Sequence, residues 1–404
     1  VMLSVIVLAL VFLGFSSAPA AAAETYNLGL SLAITGPTSD AGNPYAKGVE
    51  DYIKFVNETK LLGDAQINCP IKDDQYETAN TKRYFEEFLD EEIVLFLSYA
   101  TGANQALAKD YTEEQIPVIP ASFDKSLIVE GTGSPYIFLA IPSYSHQYVA
   151  VAEYVAKHHK GDGTPKVALF IHPSAFGRAP VEDLKSAMAA GLKLEVVEVV
   201  EHGTDLDNSA LLQRLQSKGV QYILSQTVQS PVATLIKDAH RLGVTAKSFG
   251  EAGKLTFLGA HYTGGSDLIA LAGEAAEGFY WTTGYRLTSV EGPWVQWQLD
   301  FAKKYGRDDK AANSHNYAAG IIAAEIAVES IKRAKESGKE VNRENLVAEL
   351  NRMSGDKAYD SQLVVGPVTY SETDRMGVDH LQLYVVEGGA FKAVGEPFQP
   401  EFLK

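Results

Sequence analysis

The amino-acid sequence predicts an α/β protein made of two doubly wound lobes, and three observations support this fold class. Apolar runs of strand length alternate with helix-patterned segments along most of the chain, which is the order found in parallel sheets covered by helices. This alternation begins a second time after about residue 143. The chain of 404 residues is also long enough for two domains with well-filled cores.

The stretch Ile93–Val118 shows the pattern most clearly. An unbroken apolar run at Ile93–Leu97 is typical of a strand buried on both faces. A turn of small residues, a helix pattern and a second apolar strand at Ile116–Ile119 complete a βαβ unit. Open α/β sheets bind ligands at such a turn, where free N–H groups and the helix dipole favour an anion. The turn is therefore a candidate ligand contact, although Thr101 could instead serve only as a helix cap.

The remaining elements follow the same alternation. Further strands are predicted at Tyr26–Ile34, Ala65–Ile71, Tyr136–Ile141, Lys166–Ile171, Leu194–Val200, Tyr222–Leu224, Ser248–Glu251 and Gly278–Thr282. The C-terminal third is predicted to hold helices at Trp294–Lys304 and Tyr317–Lys335 and strands at Gln362–Val368 and Leu381–Val386. These late elements must return to one lobe or the other.

Charge and targeting signals limit where the protein acts. The formal net charge of −16 argues against nucleic acid or anionic membrane surfaces as partners. The apolar run Val5–Phe15, followed by Ala21-Ala22-Ala23, predicts a signal peptide over residues 1–23 with cleavage before Glu24. A transmembrane anchor is the alternative, but the run is short for a span. We therefore expect an exported protein with no membrane insertion after cleavage.

The motifs of common enzymes are missing from the sequence. No Gly-x-Ser-x-Gly elbow occurs, and Gly250–Lys254 is too short between its glycines for a phosphate-binding loop. The lone Cys69 lies in an alternating apolar segment, and His158-His159 lack a metal-ligand partner at helical spacing. We therefore expect no enzyme, no cofactor and no metal, but a clamshell that closes on a small molecule.

Several motifs together resemble the periplasmic substrate-binding proteins of branched-chain amino acid ABC transporters, of the Leu/Ile/Val-binding type. Their order and spacing carry the resemblance over nearly the whole chain after residue 23, more than any single motif does. The motifs are Leu32–Pro37 with Gly42 and Lys47–Val49, Asp73-Asp74, His240–Gly243, Ala275–Gly278, Asn316–Ala319 and Val365–Val368.

The resemblance implies a type I periplasmic binding fold, with a ligand cleft between two lobes joined by three hinge crossings. The lobes would comprise residues 24–142 with 285–362, and residues 143–284 with 363–404. The implied function is a monomeric periplasmic protein that delivers a small carboxylate-bearing solute, an amino acid or a related organic acid or amide, to an ABC permease. The alternatives are a sensor that presents ligand to a chemoreceptor or sensor kinase, and an exported enzyme on the same scaffold.

The resemblance also places candidate ligand contacts in the first lobe. Thr101 falls where the family has a hydroxyl that binds the ligand carboxylate, and Gly102 and Ala103 would offer N–H groups beside it. A second turn would contact the ligand in part through a backbone carbonyl. The residues of this second turn are Ala121, Ser122 and Phe123.

The second lobe would cover the ligand from the opposite side. Phe176 falls at an aromatic position of the family, and Val228 or Gln229 falls in a turn that closes over the ligand. Glu251 falls close to the acidic residue that pairs with the ammonium of an amino acid, or is a solvated loop carboxylate.

The sequence departs from the family pattern at several of these positions. Phe123 stands where a threonine hydroxyl is usual, and Ala41 and Ser314 replace aromatic residues. These changes remove polar contacts for an ammonium and part of a side-chain pocket. The ligand therefore remains open among amino acids, aromatic or aliphatic carboxylates and amides.

Overall fold

A computed structural model of the protein describes residues 24–203 and 207–403. The described chain forms two sheets flanked by helices and passes between them three times. The predicted two-lobed α/β architecture is confirmed, and we refer to a first and a second lobe in chain order. The predicted signal peptide, residues 1–23, lies outside the described residues.

Twelve strands occur in the two described segments. The first lobe contains β1 Thr25–Leu32, β2 Gln66–Asn68, β3 Ile71–Asp73, β4 Leu95–Ser98 and β5 Val118–Pro120. The second lobe contains β6 Lys166–Ile171, β7 Glu195–Glu201, β8 Tyr222–Gln226, β9 Thr256–Gly259, β10 Tyr280–Thr283, β11 Leu381–Glu387 and β12 Ala390–Phe398.

Thirteen α-helices cover these sheets in the same described segments. The first lobe holds α1 Ser39–Thr59, α2 Thr78–Asp90 and α3 Thr101–Glu113. The second lobe holds α4 Tyr144–His158, α5 Ala175–Arg178, α6 Val181–Ala189, α7 Ser209–Ser217, α8 Gln229–Arg241 and α9 Ser266–Ala272. The chain then returns to the first lobe with α10 Pro293–Lys304, α11 Asp309–Asn313, α12 His315–Glu336 and α13 Arg343–Leu350. No helix in these segments combines the length and the apolar character needed to cross a membrane.

The first sheet is parallel, with strand order β2–β1–β4–β5 and with β3 also paired to β1. The sequence pattern predicted β2 and β3 as one strand, Ala65–Ile71. Pro70 separates them because proline has no N–H to donate to a ladder. The carbonyl of Pro70 still accepts a hydrogen bond from Leu30 N at 3.2 Å, so both short strands remain beside β1.

The second sheet has strand order β12–β11–β10–β9–β8–β6–β7. Its pairs from β7 to β10 are parallel, and β11 and β12 extend it as an antiparallel hairpin. Neighbouring side chains of β8 enter different cores, since Ile223 packs in one apolar cluster and Leu224 in another. Helices therefore cover both faces of this sheet, as a doubly wound lobe requires.

The crossing segments between the lobes bond to one another. In the first crossing, Leu139 N donates to Arg375 O at 2.8 Å, and in the second, Gly284 O accepts from Val365 N at 2.9 Å. A Cβ built on Gly284 would lie 2.9 Å from the Ile141 side chain, so glycine permits close packing of two crossings. The three crossings thus lie side by side.

Two predicted strands are wrong for this reason. The segments 136–141 and 362–368 have the apolar pattern of strands, but each makes only isolated bridges: Ile137 bridges Val118 at the edge of the first sheet, and Val364 bridges Tyr285. Extended crossings between lobes are buried and hydrogen-bonded, so their sequence pattern resembles that of strands.

Helices α1 and α12 pack against each other at two glycines. A Cβ on Gly48 would lie 2.1 Å from Tyr317 O, and a Cβ on Gly320 would lie 2.0 Å from Tyr45 O. Only glycine leaves room for this backbone approach. The contact attaches the late helix α12 to the first lobe, which the helix pattern alone did not assign.

Glu325 makes the stability of the first lobe depend on pH. It is buried on α12, where the Ser361 hydroxyl donates to its carboxylate at 2.7 Å, and burial raises its pKa to about 7. Because the folded state binds this proton more tightly than the unfolded state, the stabilisation is full below the unfolded pKa and is lost as pH rises through about 7. We expect the melting temperature to fall from pH 5 to pH 8 by less in Glu325→Gln than in the parent protein.

The exposed Glu336 on the same helix provides the control for this titration. Glu336→Gln should keep the pH dependence of the parent protein, measured as thermal unfolding across the same buffers. An identical pH profile for Glu325→Gln and the parent protein would contradict the assignment.

Candidate functional site

A small cavity of about 10 Å³ lies between the two lobes. It is formed where the carboxyl ends of β4 and β5 face the second lobe, which is the usual ligand edge of an open α/β sheet. Five of its nine lining residues are aromatic, and none of the nine carries a charged side chain. The lining residues are Thr38, Tyr76, Tyr99, Thr101, Ala121, Tyr144, Phe176, Val228 and Tyr262.

The N-terminus of α3 forms one wall of this cavity. Thr101 is the first residue of α3, and the preceding residue, Ala100, provides no side-chain cap. The first N–H groups of a helix have no partner within it, and they carry the positive end of the helix dipole. The Thr101 hydroxyl lies 2.8 Å from the Ser122 hydroxyl, and both side chains are buried. This wall can bind an anion such as a carboxylate.

A buried hydroxyl of the β1–α1 turn adds to the same wall. Thr38 is 2% exposed, its Oγ1 has no hydrogen-bond partner, and it lines the cavity. Buried polar groups are almost always hydrogen-bonded. The unpaired hydroxyl therefore indicates that this position serves a ligand atom.

The turn after β5 contributes a carbonyl that already accepts hydrogen bonds from other residues. The Ala121 carbonyl accepts hydrogen bonds from the hydroxyls of Tyr262 and, at 3.4 Å, of Tyr144. Burial raises the pKa of both tyrosines well above the usual range, so both remain neutral donors. The ring of Phe123 stacks on that of Tyr262 at 6.2 Å between centroids. This turn therefore joins the two lobes directly.

The second lobe closes the cavity with aromatic and aliphatic side chains. Phe176 of α5 packs edge-on to Tyr144 at 5.2 Å and to Tyr262 at 5.7 Å between ring centroids. Val228, which precedes α8, completes this wall. The cavity thus has one polar wall from the first lobe and apolar walls from both.

The structure brings most of the predicted site residues together. Four of them line the cavity directly: Thr101, Ala121, Phe176 and Val228. The others in this neighbourhood follow a lining residue in the chain or pack on one: Gly102, Ala103, Ser122, Phe123 and Gln229. Gln229 is buried, and its amide is 3.4 Å from Gly264 O.

Glu251 is the exception and lies away from the cavity. Its carboxylate accepts a hydrogen bond from Lys247 N at 2.6 Å in a turn that precedes β9. The sequence pattern placed a strand at Ser248–Glu251, but the strand is Thr256–Gly259. Glu251 is therefore at the amino end of β9, whereas the cavity lies at the carboxyl ends, where Tyr262 stands instead.

The sequence analysis did not predict five of the lining residues. Tyr99 follows β4 directly, in the same turn as Thr101, so its place after a strand was a signal that it could line the cavity. Thr38 and Tyr76 also stand in turns that follow strands of the first lobe. The remaining two, Tyr144 and Tyr262, depend on how the lobes meet and carry no local signal.

Comparison with known proteins identifies the fold family. The sequence model of the periplasmic binding protein family matches residues 25–390. The chain belongs to this family. A branched-chain amino acid ABC transporter protein from Thermus thermophilus, solved with bound valine, is 44% identical, with a TM-score of 0.88 over 94% of this chain and 98% of that one.

Two further relatives are binding proteins of the same kind. The leucine-, isoleucine-, valine-, threonine- and alanine-binding protein of Pseudomonas aeruginosa is 25% identical over 67% of this chain and 69% of its own length. The Leu/Ile/Val-binding protein homolog 3 of Brucella melitensis is 23% identical over 95% of this chain and 96% of its own. The chain is therefore an extracytoplasmic substrate-binding protein of the ABC transporter type and not an enzyme.

In this binding protein, Asp40 of the first lobe contacts α8 of the second lobe across the cleft. Its carboxylate accepts hydrogen bonds from Ser230 N at 3.2 Å and from the Ser230 hydroxyl at 2.8 Å. Helix α8 has no side-chain cap from its own N-cap residue, Val228. The carboxylate of Asp40, in the other lobe, thus accepts a hydrogen bond from a free N–H group in the first turn of α8, as a capping residue would. This contact stabilises the closed arrangement of the lobes.

Replacing Asp40 with alanine should weaken solute binding by about five-fold, which corresponds to about 1 kcal/mol for a lost cap. The loss should appear mainly as faster dissociation, because the contact forms only after the lobes close. Stopped-flow binding would measure both rate constants. Lys125→Ala is the control, since Lys125 and Asp183 form a partly exposed pair at 3.6 Å across the cleft and such pairs contribute little. Equal dissociation rates for both variants would contradict this role.

Proposed function

We propose that this binding protein captures a small carboxylate-bearing solute in the cavity and delivers it to the membrane subunits of an ABC importer. The observation that carries the proposal is the uncapped N-terminus of α3, which faces the cavity between the lobes beside the hydroxyls of Thr38 and Thr101. Helix N-termini bind anions through free N–H groups and the helix dipole. A ligand carboxylate would also satisfy the unpaired Thr38 hydroxyl.

The walls of the cavity support a small, partly apolar solute. With the lobes in contact the cavity measures about 10 Å³, which is room for about one water molecule, so a solute would enter while the lobes are apart. Aromatic rings from both lobes would cover the part of the solute that extends from the carboxylate. The Thermus thermophilus protein with bound valine, at 44% identity, holds a solute of this kind.

In this proposal the solute docks first on the first lobe, and the second lobe then closes over it. The lobes comprise residues 24–142 with 285–362 and residues 143–284 with 363–404, and they move about the three crossings. Contacts made only in the closed form, such as Tyr262 with Ala121, shift the population toward closure. The permease would recognise the closed shape of a periplasmic monomer that begins at Glu24.

A thermal-shift panel on the chain from Glu24 onward tests the proposal. The panel holds aliphatic and aromatic carboxylates, amino acids, amides, amines and sugars, and the sample is refolded after denaturation to remove any trapped solute. A ligand at a hundred times its dissociation constant adds about 2.7 kcal/mol of stability, which moves the melting temperature measurably. We expect shifts only from compounds that carry a carboxylate. Shifts confined to compounds without one, or no shift at all, would overturn the proposal.

A further inference from the structure

An α-amino acid needs a second polar site beside the one that holds its carboxylate. Its ammonium is attached to the carbon next to the carboxylate, so it must lie close to the N-terminus of α3 when the carboxylate binds there. A buried ammonium has three N–H donors and is costly to bury without acceptors. The acceptors near this end of the cavity therefore decide whether the site accepts an amino acid.

Two backbone carbonyls at this end of the cavity are already used. A carbonyl oxygen has two lone pairs, and the Ala121 carbonyl receives the hydroxyls of Tyr262 and Tyr144. The Thr38 carbonyl receives the Tyr99 hydroxyl at 3.0 Å. Tyrosine donors thus occupy positions that an ammonium would need.

Free carboxylate acceptors are also missing from this region. Phe123 replaces a hydroxyl with a ring, and the Ser122 hydroxyl pairs with that of Thr101. No acidic residue lines the cavity in the described part of the chain. Three carboxylates lie nearby, Asp74 and Asp124 buried and Asp40 partly buried, and each already accepts hydrogen bonds: Asp40 from Ser230, Asp74 from Ser31 and Thr81, and Asp124 from Gln105 and Ser126.

We propose that the cavity selects monocarboxylates without an α-ammonium group over the corresponding amino acids. This inference rests on the proposed function, because it assumes that the carboxylate binds at α3. It differs from what valine would require, since valine carries both charged groups. The ligand class is short aliphatic or arylalkyl carboxylates, whose uncharged part fits the aromatic walls.

Tyr262 is the specificity-determining residue in this proposal. Its hydroxyl is one of two second-lobe donors to the Ala121 carbonyl, beside that of Tyr144. Tyr262→Phe would free one lone pair of the carbonyl while it keeps the ring that packs on Phe123 and Phe176. An amino acid would then gain an acceptor, whereas a simple carboxylate would not.

Titration calorimetry with two matched pairs tests the inference: 3-methylbutanoate against valine, and 3-phenylpropanoate against phenylalanine. We expect the simple carboxylate of at least one pair to bind ten-fold or more tightly than its amino acid. Equal or tighter binding of the amino acids would overturn the inference and leave the proposed carboxylate function intact. If none of the four compounds binds, the inference is overturned for this ligand class, and the wider panel decides the proposed function.

The variant Tyr262→Phe provides a second readout. We expect it to reduce the preference for the simple carboxylate at least three-fold, expressed as the ratio of the two dissociation constants within a pair. Tyr280→Phe is the matched control, because Tyr280 is a half-buried tyrosine of β10 outside the cavity. An unchanged ratio in folded Tyr262→Phe would overturn the role of Tyr262.

Discussion

Thr101→Val is expected to weaken binding of the solute by about ten- to a hundred-fold. Valine matches the shape of threonine but lacks the hydroxyl at the N-terminus of α3. A ligand carboxylate would lose one charge-assisted hydrogen bond, and the Ser122 hydroxyl would lose its partner at 2.8 Å. The loss of a hydrogen bond to a charged group costs about 1.5–3 kcal/mol. Titration calorimetry with the best ligand of the panel measures the effect.

The variant Thr101→Ser distinguishes the effect of the hydroxyl on binding from any effect of a substitution on the fold. Serine keeps the donor and acceptor oxygen and loses only a methyl group, so its affinity should stay within about three-fold of the parent. Thermal unfolding of both variants without solute would show whether either disturbs α3. Equal affinities for Thr101→Val and the parent protein would remove the hydroxyl from the site.

Asp51→Ala is expected to cause the largest loss of stability, about 3–5 kcal/mol. Asp51 is 2% exposed on α1. Its carboxylate accepts two hydrogen bonds at 2.7 Å from the Arg307 guanidinium and one at 2.8 Å from the Tyr317 hydroxyl of α12. The carboxylate also raises the pKa of Arg307, so the guanidinium stays charged. Removing the carboxylate leaves that charge without its partner, and urea unfolding measures the cost.

Glu50→Ala is the matched control on the same helix. Glu50 also accepts a hydrogen bond from Arg307, at 3.0 Å, but its side chain is 61% exposed. Exposed ion pairs contribute at most about 1 kcal/mol. We therefore expect little change in the urea midpoint. Similar losses from both variants would show that burial of Asp51 does not set the strength of this contact.

Local sequence patterns were sufficient for the regular elements. The predicted strand Lys166–Ile171 and helix Ser209–Ser217 have the observed bounds of β6 and α7. The strand is a continuous apolar run that follows a loop of glycine and proline, and the helix carries its buried residues at helical spacing. Both signals lie within a few residues of each other, so no distant contact is needed to recognise them.

The polar end of the candidate site was also predictable. Thr101 follows a buried strand and begins a helix, and this position alone predicts the ligand edge of a parallel sheet. Ala121 follows the next strand of the same sheet for the same reason. The structure places both in the wall of one cavity.

The second lobe's contribution was harder to predict, because a short shift in strand position changes which residues reach the cleft. The family resemblance made Glu251, at the end of a predicted strand Ser248–Glu251, a ligand contact, whereas β9 at Thr256–Gly259 puts Tyr262 there. The segment around Glu251 contains a phenylalanine and small residues, which resembles the end of a short strand. Pairing with β8 and β10 decides the true position.

The sequence by itself determined the two-lobed α/β fold and the polar end of the cleft, because both depend on patterns within βα units, and it determined the family through the order and spacing of motifs along the chain. Only the tertiary structure decided which residues of the second lobe face the polar end of the cleft. The hydrogen bond between Tyr262 and the Ala121 carbonyl joins residues 141 positions apart in different lobes. It exists only because the crossings hold the second lobe over the first. No local pattern encodes such a contact, and yet it decides whether the carbonyl is free for a ligand.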